Sequence, residues 1–326
     1  MSGNAPRWRV RVTRRLPQAT QALLARQYDV TFNDDDIPLD RAALEAAMRD
    51  YDAVIPTITD RIDASLLAID GRRARILANF GAGLDHIDLA AARRNGIVVT
   101  NTPDALTEAT AELAILLMLM AARRAGEGER ELRAGEWSGW RPTHLVGLSL
   151  AGRTLGLVGF GRIAQATAVR ARGLGMAVRY HSRSAVPDEV AAACGATRAG
   201  NIVDLAVEAD VLSLHVPGGE ATHHLVDAAL LARMKPGAIL VNTARGSVVD
   251  ETALADALAA GHLGAVGLDV YEHEPKVHPK LLASPRAVLL PHLGSATIEA
   301  REAMGMQAAA NLQDFIDGRE PPNRVA

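Results

Sequence analysis

Four side chains of this chain are suited to chemistry, and each follows an apolar run. Arg245 ends the stretch Val241-Asn242-Thr243-Ala244-Arg245, with Gly246 behind it. A guanidinium in that place can bind a carboxylate through two parallel hydrogen bonds. Taken alone, an arginine in this place is more often a surface arginine paired with a neighbouring acid. Asp269 and Glu274 lie in Gly267-Leu268-Asp269-Val270-Tyr271-Glu272-His273-Glu274-Pro275, which alone could be a polar turn. His292 follows Leu290-Pro291 and precedes Leu293-Gly294-Ser295-Ala296. An imidazole exchanges protons near neutral pH, although a lone histidine at a strand end is more often a structural hydrogen-bonder.

Upstream stands Leu155-Gly156-Leu157-Val158-Gly159-Phe160-Gly161-Arg162-Ile163-Ala164-Gln165. An apolar strand runs into a glycine turn, and a helical pattern opens at Arg162. Gly159 allows the tight turn, Gly161 lets a pyrophosphate approach the backbone, and Ala164 is small enough for the helix to pack on its strand. Free N–H groups and the dipole at the helix start attract phosphate. The spacing predicts a dinucleotide site; its plain alternative is an ordinary strand-to-helix turn.

The elements that must position these groups alternate in type. Apolar runs at 9–13, 30–32, 53–56, 75–78 and 97–100 predict strands, with helices between them such as 39–49 and 89–94. A long helix is predicted over 107–133. Residues 134–150, with Trp137, Trp140 and Pro142, break the period and read as an arm. A second set of strands is predicted at 154–158, 177–180, 211–214, 238–242, 264–268 and 288–290, and a last helix over 298–317. Such alternation implies mostly parallel, doubly wound sheets, in which ligands bind beyond the strand ends. The expected fold is α/β, with two domains of this kind.

Composition narrows the classes. The 326 residues are 48% hydrophobic, enough for sizeable cores, and the formal net charge of −3 gives no general pull toward nucleic acid or anionic membrane. Cys194 is the only cysteine, which excludes an intrachain disulfide and a cysteine metal cluster. No metal site is expected. The apolar run 113–122 is too short to span a bilayer, and residues 1–12 lack the apolar core of a signal peptide. The expected location is cytoplasmic.

Five collinear stretches together resemble the D-isomer-specific 2-hydroxyacid dehydrogenase family, over essentially the whole chain. They are Gly159 to Ala164, the N-T-A-R-G of Asn242 to Gly246, the G-L-D-V-Y-E-H-E-P of Gly267 to Pro275, the P-H-L-G-S-A of Pro291 to Ala296, and the N-T-P-D-A-L-T-E-A-T-A-E-L-A of Asn101 to Ala114. The resemblance implies two similar domains, flavodoxin-like and Rossmann, around a cleft. A substrate-binding domain would comprise 1–104 and 297–326. A dinucleotide-binding domain would comprise 105–296, with a dimerisation arm near 123–150. It implies that Arg245 grips a substrate carboxylate, that His292 is the general acid/base and that Glu274 is its partner. A nearby carboxylate favours the imidazolium, the form needed to protonate a keto oxygen. Ala82 and Gly83 match a loop whose N–H groups hold the carboxylate, with Ile58 and Phe80 lining the pocket. Asp269 resembles the residue that orients the nicotinamide. Gly159, Phe160, Gly161, Arg162, Ile163, Ser182, Arg183, His215, Pro217, Thr243, Ala244 and Gly294 complete the expected cofactor contacts.

The reaction implied is reduction of a small 2-keto acid with NAD(P)H. Glu274 stands where formate dehydrogenases have glutamine, and Ala82 where phosphite dehydrogenases have lysine. The chain ends at Ala326 without the regulatory domain of many phosphoglycerate dehydrogenases. The stretch G-E-W-S-G-W-R-P of Gly135 to Pro142 is most like glyoxylate and hydroxypyruvate reductases, in which a tryptophan matching Trp140 enters the neighbouring subunit's site. A homodimer is therefore expected; the alternative for Trp140 is plain packing between subunits. A larger keto acid (2-ketogluconate, or a branched or aromatic one) and a non-catalytic corepressor are the competing readings. NAD enzymes carry an acid after the second strand for the ribose hydroxyl. Here His181-Ser182-Arg183 follows instead, which favours NADP, with NAD as the alternative if Arg183 only stacks on adenine.

Overall fold

The computed structural model describes residues 7–326. The first six residues of the stretch read as lacking a leader, and of the expected 1–104 segment, lie outside it. The chain forms two compact units, one running up to Leu106 and resuming at Ala296–Ala326, the other Thr107–Ser295.

Unit 1 holds β1 (Arg9–Val12), β2 (Asp29–Thr31), β3 (Ala53–Ile55), β4 (Ile76–Ala78) and β5 (Val98–Thr100). They form one parallel sheet in the order β2-β1-β3-β4-β5. β3 and β4 are buried along their whole length, because helices cover both faces. Alternate residues serve opposite cores: Ala53, Ile55, Ile76 and Ala78 face one cluster, Val54 and Leu77 the other. The C-terminal helix Ile298–Ile316 belongs to this unit. Trp8 meets Phe315 edge-on at 6.0 Å, and the Tyr28 hydroxyl donates to Gln313 at 2.6 Å. The chain end then pairs with β5, where Val99 N–H donates to Ala326 O at 3.0 Å.

Unit 2 holds β6 (Thr154–Val158), β7 (Ala177–His181), β8 (Ala196–Arg198), β9 (Val211–Leu214), β10 (Ile239–Asn242), β11 (Ala265–Leu268) and β12 (Ala287–Leu289). All are parallel, in the order β12-β11-β10-β9-β6-β7-β8. Chain order reverses between β6 and β9, the switch point at which doubly wound sheets bind ligands. Ile239 and Val241 pack into one core and Leu240 into the other. Leu117 is fully buried, so truncation to alanine would cost about 2–5 kcal/mol.

Two expectations need correction. The helix over 107–133 is two helices, Thr107–Ala122 and Ala125–Arg133, because Arg124 between them is left-handed at φ 54°. β8 was not predicted: three residues, two of them exposed, carry no readable alternation. Residues 134–150 form neither helix nor strand. Among the described residues no helix is long and apolar enough to cross a membrane.

Candidate active site

The candidate residues of unit 2, Trp140 apart, follow the C-terminal ends of its strands. Gly159 follows β6 directly at φ 89°, and a Cβ there would lie 2.4 Å from the His215 carbonyl oxygen after β9. Glycine is therefore required by both backbone shape and space. Gly161 opens the helix Arg162–Gly173, and its missing Cβ faces open space. No side chain caps this helix, and its first backbone bond runs from Gln165 N–H to Gly161 O. Other helices here are capped by a side chain, as by Asp40, Asn201 and Asp250. The uncapped N–H groups of the first turn, with the dipole behind them, suit a pyrophosphate. Ala164 is fully buried against the sheet.

Phe160 is buried and stacks on Tyr180 at 4.0 Å, so only its backbone is available to a ligand. Arg162 is exposed and Ile163 half-buried. His215 Nε2 bonds with Ser213 Oγ at 2.9 Å, and burial pushes its pKa down to about 4, so the ring is neutral at pH 7. Pro217 is exposed two residues further on. No acid ends β7. His181 Nδ1 is buried without a partner, Ser182 is half-buried, and Arg183 is exposed. Arg198, at the end of β8, donates to Ser182 O at 2.8 Å. Sequence reading missed this second cation because it missed the strand that places it.

At the end of β10, the buried Asn242 shapes the turn that presents Arg245. Its Oδ1 accepts from Ala244 N–H at 2.9 Å, and its Nδ2 donates to Arg245 O at 2.8 Å. Arg245 Nη1 also donates to Ala244 O at 2.7 Å. Thr243 Oγ1 is buried with no protein partner, an orphaned polar atom of the kind a ligand satisfies.

His292 and Glu274 meet. His292 Nδ1 donates to Glu274 Oε2 at 2.8 Å, and both side chains are about one-third exposed, at 31% and 35%. Among the described residues Nε2 has no partner. Burial would push the Glu274 carboxyl up. The hydrogen bond and charge of His292, the Tyr271 N–H and the Arg245 charge outweigh it and hold Glu274 below the usual carboxylate range. His292 itself is left-handed, at φ 55°. Asp269 holds that turn: Oδ1 accepts from Leu293 N–H at 2.6 Å and Oδ2 from Gly294 N–H at 2.8 Å. Gly294 O accepts from Thr110 Oγ1 at 2.9 Å, so both backbone groups of Gly294 are engaged.

In unit 1 the loop after β4 is anchored by its carbonyls. Asn79 Nδ2 donates to Gly81 O at 3.0 Å and Gly83 O at 3.1 Å, and Asn101 Nδ2 donates to Ala82 O at 2.9 Å. Asn311 of the C-terminal helix in turn donates to Asn101 O at 3.1 Å. The Ala82 and Gly83 N–H groups donate to nothing among the described residues, as an anion-binding loop requires. Neither asparagine was singled out from sequence, since the pairing becomes visible only in space. Ile58 is 40% exposed, whereas Phe80 is only 6% exposed and belongs to the core. Trp140 stands on the irregular segment, 82% exposed.

The strand ends of unit 2 thus combine an uncapped glycine turn, an arginine and a histidine–carboxylate pair, an arrangement suited to a nicotinamide-dependent dehydrogenase. The sequence model described as D-isomer specific 2-hydroxyacid dehydrogenase, NAD binding domain, matches residues 115–294, and the chain belongs to that family. It is 42% identical to a glyoxylate reductase of Thermococcus litoralis, across 97% of this chain and 96% of the relative. A glyoxylate reductase of Aeropyrum pernix is 44% identical, across 97% and 95%. An NADPH-dependent glyoxylate/hydroxypyruvate reductase of Sinorhizobium meliloti, solved with NADP and malonate, superposes with a TM-score of 0.87. It is 36% identical, with 98% of this chain and 97% of that one covered.

Proposed function

We propose that this protein reduces a small 2-keto acid, glyoxylate or hydroxypyruvate, to the D-2-hydroxy acid. The observation that carries this reading is the His292–Glu274 pair with Arg245 acting on it, on the strand ends that also present the uncapped glycine turn. A bound nicotinamide supplies the hydride. Arg245 binds the substrate carboxylate and polarises the keto oxygen; in unit 1, the free N–H groups of Ala82 and Gly83 suit a carboxylate. His292 Nε2 gives the keto oxygen its proton, and Glu274 orients the ring and favours its charged form. The turn Gly159 to Ile163 would hold the cofactor's pyrophosphate, with Thr243, Ala244, His215 and Pro217 as further contacts. Asp269 places His292 and meets the nicotinamide. Ile58 remains the exposed candidate in unit 1 for a contact with substrate, while Phe80 packs in the core. Unit 1 is the substrate-binding domain, unit 2 the cofactor-binding domain, and Trp140 on its exposed arm packs against a second copy in a homodimer. The relatives' names support the substrate class. A panel of keto acids, from glyoxylate to aromatic ones, tests it: catalytic efficiency should be highest with the smallest two.

Glu274 has a pH signature. Burial would raise its carboxyl, but the hydrogen bond and charge of His292 hold it below the usual carboxylate range, so it stays ionised through weakly acidic pH. Activity that needs the ionised pair should persist until pH falls into that depressed range, and Glu274→Gln should lower kcat and remove the acid-side loss. A kcat profile unchanged by the substitution would separate the two residues.

We further propose that NADPH is preferred to NADH. Ser182, Arg183 and Arg198 frame the end of β7 without an acid to repel a 2′-phosphate. A hydrogen bond to a charged group contributes about 1.5–3 kcal/mol, so Arg183→Ala should weaken NADPH by roughly 10- to 100-fold and NADH far less. Titration of both cofactors against wild type and variant decides it. Equal losses would show that Arg183 merely supports the adenosine.

A further inference from the structure

Next to the segments that carry Arg245 and Glu274 lies a cluster that the reduction does not use. The loop before Leu225 carries His223 and His224, and Glu272 comes from the segment between β11 and Glu274. One donor atom from each lies within 4.8 Å of the others. His224 Nε2 already bonds with Glu272 Oε1 at 2.7 Å. Adjacent residues of an extended chain direct their side chains to opposite faces. Here His224 is left-handed, at φ 48°, and the two rings stack with centroids 4.0 Å apart. The backbone thus turns both imidazoles to one side, toward a carboxylate 48 residues away from His224.

Both segments are fixed from behind. His224 N–H donates to Ser247 O at 2.9 Å, and Val226 N–H to Val248 O at 3.0 Å. Glu272 N–H donates to Oε1 of the buried Glu251 at 2.7 Å. A Cβ on Gly246 would lie 1.8 Å from the Tyr271 carbonyl carbon and 2.3 Å from the Glu272 nitrogen. The cluster therefore joins the strip that follows Arg245 to the strip that leads into Glu274.

We propose that His223, His224 and Glu272 bind a divalent transition metal, with Zn²⁺ as the best match. Two imidazoles and one carboxylate suit zinc, cobalt or nickel; no thiolate is present to select softer ions, and a site for magnesium or calcium would be richer in oxygen. Donors of a tetrahedral zinc site stand about 3.3 Å apart, given bonds of about 2.0–2.1 Å. Rotation of the exposed His223 closes the remaining gap, and water fills the open position. The bound ion ties the Arg245 strip to the Glu274 strip and stabilises both. Sequence spacing gave no sign of this site, and the expectation of no metal followed from cysteines alone.

The test is calorimetric titration of Zn²⁺ into the chelator-stripped full-length protein, alongside His223→Ala, His224→Gln, Glu272→Gln and His292→Ala. One ion per chain is expected. The first three substitutions should each weaken binding by roughly tenfold or more. His292→Ala should leave it unchanged, which separates this site from the imidazole–carboxylate pair of the active site. His223 is exposed, so its truncation leaves folding intact, and circular dichroism of each variant checks this. Co²⁺ gives a second readout, through visible absorption bands of four-coordinate geometry that His223→Ala should remove. Absence of stoichiometric binding, indifference to the first three substitutions, or loss on His292→Ala would each overturn the proposal.

Discussion

Arg245→Ala should abolish useful turnover. The side chain leaves a turn held by Asn242 and lends its charge to Glu274. In the proposed reaction it makes two charge-assisted hydrogen bonds to the substrate. At about 1.5–3 kcal/mol each, their loss amounts to about 3–6 kcal/mol, or roughly 10²- to 10⁴-fold in kcat/KM. Arg245→Lys keeps the charge but not the planar fork, and should retain only a small residue of activity. Steady-state kinetics on both variants checks this, with cofactor binding measured separately. Near-normal efficiency in the alanine variant would remove Arg245 from the substrate.

His292→Ala should lower the rate of reduction by on the order of 10² to 10⁴, the usual cost of losing a general acid. Cofactor affinity should be nearly unchanged, because Asp269 still accepts from the N–H groups of residues 293 and 294 when the imidazole is absent. The left-handed backbone at position 292 is compatible with this loss but costs an alanine some strain, so melting temperature belongs beside the kinetics. If cofactor affinity collapsed while turnover per bound cofactor held, His292 would be a structural residue only.

Much of this site was legible before any coordinates because its parts are local in sequence. A glycine turn between an apolar strand and a helix is a contiguous signal, and the strand Thr154–Val158 falls where the apolar run places it. Arg245, Glu274 and His292 each follow a buried strand, so their common edge follows from a parallel sheet. The Asn79 and Asn101 side chains were not legible, since amides that hold a loop's carbonyls look like any other asparagine until the loop is folded onto them. Arg198 needed β8, whose three residues are too few and too exposed to announce a strand. The break at Arg124 was hidden for another reason: a left-handed arginine has no compositional mark, and the glycines that follow it lie inside the second helix.

Purified protein mixed with NADPH and glyoxylate, followed by the near-ultraviolet absorbance of the reduced nicotinamide, decides whether this chain is a keto-acid reductase. Glyoxylate-dependent oxidation of NADPH is expected, with one glycolate formed per cofactor consumed, and D-glycerate as the sole enantiomer when hydroxypyruvate is used. Absence of keto-acid-dependent oxidation with either NADPH or NADH, in protein shown to bind the cofactor, would contradict that reading.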